Sequence, residues 1–325
     1  MSKALTIKVN GDQLELGPVQ VSFQRTLRIP EDGLHALPPG LGRFPLRRVA
    51  DYPDTAPADW LDRGGVMMPL YQREAMWMSF NNVEPAALQV GVGKVCAISG
   101  GPWDETLSQD PQNYAALPDQ PWLDGINAGD GYIRQFVAVP LGLGATVEAQ
   151  VTGSEEHGGV QLRAVGLTDD ALRQWQDEQS AADNFIICGD EQSLLPSSAP
   201  AMGFGAGGRM RQEVYADDRG VPDYDEKRSG RVFVHLCSAS QWATITGEVP
   251  PPTPVDRGTY IEHGLPWFDY YDADHQDLAR SDTLGKVKTV GTLLGDDDGP
   301  HTVVDPATVV QLKGDGGDVV DDGQW

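Results

Sequence analysis

From Val19 to Ile29 the sequence reads VQVSFQRTLRI, and its side chains sort by parity. Val19, Val21, Phe23, Leu27 and Ile29 fall on one face, interrupted by Arg25; Gln20, Ser22, Gln24, Thr26 and Arg28 fall on the other. A period of two belongs to a half-buried strand and not to a helix. This segment commits the chain to a sheet with a core on one side. Upstream, LTIKV meets Asn10-Gly11, a preferred two-residue hairpin turn, and Gly17-Pro18 leads into the long strand.

The same signal recurs. YIRQFVAV from Tyr132 reads as a strand that breaks at Pro140 and Gly142. In ATVEAQVTG, Val147, Ala149 and Val151 alternate with Glu148, Gln150 and Thr152, which predicts a second strand. Residues 88–98, LQVGVGKVCAI, read as a strand whose Gly91 and Gly93 share a face, a sign of a bulge or a close backbone approach. GGVQLRAVG adds a short strand, and residues 231–248 a buried strand running into a helix. Residues 68–80 fit a short helix or a buried strand, Pro69 favouring the helix.

Thr168 starts the clearest helix, with Asp169 and Asp170 in its first turn, where the helix dipole favours acids. That helix is polar and belongs on the surface. Residues 30–69 read as ordered loop anchored by Leu37, Leu41, Phe44, Leu46 and Trp60, and residues 190–230 read as irregular. With Gly at 38 and Pro at 24, many short elements fit better than long helices. The expected fold is β-rich and mainly antiparallel, a sandwich or distorted barrel with a few short helices, α+β overall. Residues 1–166 form a β-rich domain; residues 167–325 form a mixed part that packs on it or stands apart.

Acids outnumber bases 48 to 24, a formal charge of −24. Such a surface repels phosphate backbones and anionic lipid heads, so neither nucleic acid nor membrane is an expected partner. Arg43, Arg47 and Arg48 are the one basic patch that stands out, and a solvated turn accounts for them. Cys96, Cys188 and Cys237 are far apart and odd in number, which supports neither a disulfide framework nor a zinc knuckle. With no signal-like start and no apolar run of membrane length, the expected setting is cytoplasmic.

Motifs with chemistry are few. GFGAGG at 203–208 matches a dinucleotide fingerprint but lacks a preceding strand, so a loop is expected. GVGKVCAISGG invites comparison with a phosphate loop and fails its spacing. His235 and Cys237 share one side of a strand; a buried histidine bonded to backbone beside an inert thiol explains them better than a metal pair. Asp296 to Asp298, Asp315 and Asp318 do not follow a calcium-loop order. Neither G-x-S-x-G nor H-E-x-x-H occurs. No cofactor or metal is expected.

Three Pro-Trp corners recur, at Trp103, Trp122 and Trp267, where proline fixes the backbone and the indole packs. The candidate ligand-binding residues are Trp122, Asp124, Asn127, Asp130 and Arg134, on a turn-rich loop next to a strand, together with Trp267. Asp and Asn among glycines also make turns unaided. The expected function is a non-catalytic binding or self-assembling structural protein, meeting a protein partner or a second copy through sheet and aromatic surfaces. The alternative is an enzyme or lectin-like module for a polar small molecule or glycan at 121–134.

Overall fold

The computed structural model describes residues 4–31, 33–35, 37–38, 40–182, 202–251, 277–279 and 281–295. Trp267, the helices expected at 256–264 and over most of 272–282, and the acidic tail from Asp296 lie outside the described residues.

β1 (Ile7–Asn10), β2 (Gln13–Leu16) and β3 (Val19–Thr26) form an antiparallel meander. Its first turn is Gly11-Asp12, one residue past the expected pair, because Asn10 still pairs with Gln13 and Gly11 takes the positive φ of 57°. Val19, Val21 and Phe23 are fully buried, each such side chain contributing about 1.5–3 kcal/mol. Arg25 is buried with them. The Glu74 carboxylate receives it at 2.6 Å from Nη2, and its guanidinium lies 5.7 Å above the Phe44 ring.

β4 (Leu34–His35), β5 (Gly40–Arg43) and β6 (Arg47–Arg48) are short. Arg47 grips Glu248 with two hydrogen bonds and Arg48 holds Asp51, so two members of the basic patch are spent on acids. After helix α1 (Ala58–Arg63), residues 68–80 resolve as strands: β7 (Val66–Leu70) and β8 (Ala75–Asn82). Pro69 opens no helix; it lies in β7 opposite Cys237. Then come β9 (Ala86–Val92), β10 (Val95–Cys96), β11 (Ala115–Leu117), β12 (Trp122–Leu123), β13 (Gly125–Gly129) and β14 (Tyr132–Pro140).

The strand expected at 147–152 is instead helix α2 (Val147–Thr152). Val147 and Val151 are four apart as well as alternating, so six residues satisfy either period. The ends decide it: Thr146 Oγ1 accepts from Ala149 N–H at 3.0 Å, and Gly153 takes the left-handed conformation that closes a helix. β15 (Val160–Leu167) follows, then α3 (Asp169–Ala182), with Thr168 Oγ1 accepting from Ala171 N–H as a cap.

GFGAGG is not a loop. It lies inside β16 (Met202–Arg211). Its glycines are needed because other chains press on the strand: a Cβ on Gly208 would sit 2.1 Å from Pro30 O, and one on Gly205 2.6 Å from Val290 Cγ2. Nor is 224–230 irregular, since β17 (Tyr224–Ser238) begins there and runs into α4 (Ala239–Thr246). Helix α5 (Val290–Leu294) is the last described element.

The result is β-rich with short helices, in one large, mainly antiparallel sheet. Parallel pairing occurs between β7 and β17 and between β4 and β16. The paired strands β1–β2–β3–β8–β14–β16–β17 return to their start where Leu5 N–H donates to Ser229 O, a circuit like that of a distorted barrel. β16 and β17 join the same sheet as β14 and β15, and the main core draws on Val19, Phe136 and Val232 alike. β17 is central: Val234 pairs with Val160 of β15 on one side and Val66 of β7 on the other.

Candidate functional site

The hairpin of β13 and β14 carries most of the residues singled out in the sequence. Trp122 opens β12, half-buried and paired with Ser79. Asp124 is buried, and Gln212 engages it twice: Asp124 N–H donates to Gln212 Oε1 at 2.9 Å, and Gln212 Nε2 donates to the carboxylate at 2.8 Å. Burial pushes the Asp124 carboxyl up to about 7, with the Gln212 bond pulling the other way. Asn127 is buried, and its Oδ1 accepts from Gly129 N–H at 2.9 Å, a side-chain turn. Asp130 is exposed at φ 57° in the hairpin turn, and Arg134 stands on β14 between Ile126 and Arg209. One hairpin thus holds all four polar residues, but the Asp124 and Asn127 side chains bond to groups of the protein itself.

His235 and Cys237 are likewise engaged with backbone. His235 Nε2 lies 2.9 Å from Gly64 O, a carbonyl that only accepts, so the ring carries its proton there. Burial drives its pKa down to about 3, which keeps the ring neutral. Cys237 Sγ donates to Met68 O, and burial pushes the thiol up.

A different group of side chains converges beside His235. Three turns meet there: Arg63-Gly64-Gly65 between α1 and β7, Gly93-Lys94 between β9 and β10, and His157-Gly158-Gly159 ahead of β15. All five glycines have positive φ, between 57° and 82°. Packing requires glycine. A Cβ on Gly65 would lie 2.2 Å from Phe233 O, one on Gly159 2.7 Å from the Phe233 ring, and one on Gly93 2.4 Å from the Glu148 carboxyl carbon. The turns are tied together: Gly93 N–H donates to Gly159 O, and Glu148 accepts from the N–H groups of Gly158, His157 and Lys94.

Each turn delivers a basic side chain, and β17 adds Arg231. Their fields overlap. Lys94 is pulled down by burial and then by Arg231, with Arg63 acting the same way. His157 is pulled down by burial and then by Lys94 and Arg63. Two carboxylates temper the cluster. Arg231 Nη1 donates to Glu105 Oε1 at 2.5 Å, and Glu148 is held up by burial against its three backbone bonds.

The floor beside these turns is the polar face of β9, β15 and β17. Gln89, Arg163 and Arg231 lie in register, followed by Gly91, Gln161 and Phe233. Arg163 Nη1 donates to Gln89 Oε1 at 3.1 Å and also to Glu105 O, and Nη2 donates to Glu226. Trp103 rests on Gly91, where a Cβ would lie 2.6 Å from indole Cε3. Gln161 Nε2 donates to Gly93 O, which fixes the amide and leaves Oε1 buried with no partner. Trp103 Nε1 and His157 Nδ1 are also buried and unpartnered. Each such group costs about 1–3 kcal/mol when nothing meets it. Three cationic side chains, each balanced by a nearby carboxylate, stand beside an orphaned indole donor, an orphaned imidazole nitrogen and an orphaned amide acceptor, and polar groups of this kind can hold a small anion that draws the cations off their partners.

Sequence reading passed over this cluster because its members are 63, 94, 157 and 231. The signal is a basic residue abutting glycine three times, as RGG, GK and HGG. Lys94 lies in a segment that fails the phosphate-loop spacing; folding brings it to the cluster by another route. Among known proteins, no family model, no curated protein and no solved structure matches the chain.

Proposed function

We propose that the protein is a non-catalytic binding protein for a small anion, held at the three glycine turns. One observation carries the reading: Arg63, Lys94, His157 and Arg231 gather in one place in a chain of net charge −24. In so acidic a chain the mean field repels anions, so a site for one has to be local. Two or three charge-assisted hydrogen bonds at about 1.5–3 kcal/mol each sum to about 9 kcal/mol at most, and an association cost of at least about 4 kcal/mol leaves roughly sub-millimolar affinity as the upper limit. The bonds of His235 and Cys237 to backbone support binding over nucleophilic chemistry. Self-association through apolar surface has less support, because the large exposed apolar side chains among the described residues, Leu34, Val83, Leu143, Val249 and Leu293, come from five separate segments.

The test is calorimetry at low salt with phosphate, sulfate and citrate. At least one should bind the full chain, and the Arg63→Ala, Lys94→Ala double variant should weaken that binding at least tenfold (~1.4 kcal/mol). Equal heats from wild type and double variant would sink the reading.

A further inference from the structure

The unpaired acceptor in the layer beneath Trp103 narrows the ligand. We infer that the anion is hydrogen phosphate, chosen over sulfate because its remaining O–H donates to Gln161 Oε1. This rests on the anion-site reading above. Gln161 is fully buried, and its amide orientation is set by the bond from Nε2 to Gly93 O, so the atom left over can only accept. Gly93 is the neighbour of Lys94, which places that acceptor next to the basic turns. Trp103, which covers this layer, has its own unpaired group, an indole N–H that can only donate.

A tetrahedral oxyanion that keeps one proton answers both valences. Its bare oxygens take the indole N–H and the basic side chains, and its O–H meets Gln161. Sulfate at neutral pH has no proton, so it would set oxygen against oxygen at Gln161. A buried acceptor facing an acceptor discriminates strongly against the analogue without the hydrogen. A phosphate monoester, whose second pKa is about 6, has lost its proton by pH 8 and should be refused like sulfate. Because Gln161 is covered in this structure, entry requires the Trp103 loop to lift from Gly91, where the indole packs in the place a Cβ would take.

The experiment is calorimetry on the full chain at pH 8 with inorganic phosphate, sulfate and methyl phosphate. Wild type should prefer phosphate to each of the others by at least tenfold. Gln161→Met, which keeps the length and removes the acceptor, should bring phosphate and sulfate within about twofold of each other. Gln161→Glu keeps an acceptor and adds charge; it should weaken both anions while retaining the preference. Because the comparison is a ratio within one protein, a general loss of stability does not imitate it. Binding of phosphate and sulfate with equal affinity by wild type would overturn this inference alone, as would an unchanged ratio in Gln161→Met. Binding of no anion would overturn the site itself.

Discussion

Two polar regions of this protein, one fully buried and one part-exposed, are finished differently. Around β3 and the β13–β14 hairpin, several buried polar groups close on one another, Arg25 on Glu74, Asp124 on Gln212 and Asn127 on Gly129, while Trp77 Nε1 on the neighbouring β8 stays buried without a partner. At the three glycine turns, Gln161, Trp103 and His157 each keep a buried atom with nothing to meet it. A closed network holds a fold in one arrangement; an unfinished one carries a cost that a ligand would relieve. Variants in the first region should therefore change stability, and variants in the second should change binding.

The largest stability effect is expected at Arg25. Arg25→Met leaves the Glu74 carboxylate buried without its cation and should cost about 3–5 kcal/mol, read by urea unfolding at pH 7. Burial already holds Glu74 above the ordinary carboxylate range despite Arg25, so the variant should recover part of its loss on acidification. A loss below 1 kcal/mol would show that the pair is not the closed unit described.

Asp124 comes next, and pH reads it. Its folded pKa of about 7 lies above the unfolded value near 4, so the folded chain binds the extra proton between them. Its contribution is full below about pH 4 and is lost as pH rises through 7, by at most about 4 kcal/mol. Asp124→Asn mimics the protonated form and still accepts from Gln212. It should flatten that slope and be more stable than wild type at pH 8. Parallel slopes in the two proteins would place the Asp124 carboxyl at an ordinary pKa.

The difference between the regions also shows what sequence can and cannot convey. The strand at 19–29 was legible from its alternation, because a mainly one-sided burial leaves a period of two in the sequence, and the strands at 132–139 and 160–167 were legible as apolar runs bounded by turn residues, being buried on both faces over most or all of their length. Thr168 as a cap was legible for a similarly local reason. GFGAGG was not, because its glycines answer to Pro30 and Val290, which are remote in sequence. Residues 147–152 were not, because Thr146 and Gly153 outweigh a six-residue pattern. At the sites the same rule holds. Asp124 and Asn127 were visible as a polar loop, but the partner that closes Asp124 is Gln212, and spacing gives no hint of it. The basic cluster needs four segments to meet, so composition reported only an acidic chain.

Gly65 couples binding to stability, since it shapes the basic turns through backbone contact with β17. Gly65→Ala puts a Cβ where Phe233 O stands, at a φ of 82°. It should cost about 1–3 kcal/mol and weaken anion binding together with stability. Arg63→Ala and Lys94→Ala separate the two. Both side chains are part-exposed and neither fills the core, so each substitution should leave urea stability within about 0.5 kcal/mol while binding falls. Arg63 lies 3.8 Å from Asp59 one helical turn away, a surface pair that contributes little. Lys94 is held below its ordinary pKa by burial and by Arg231, so removing it relieves repulsion as well as losing a contact. If Lys94→Ala proves more stable than wild type and binds anion less, the basic turns carry a standing electrostatic cost that a bound anion relieves. If it is less stable by more than 1 kcal/mol, Lys94 belongs with Arg25 and Asp124 in the closed part of the molecule, and the contrast between the two regions fails at its center.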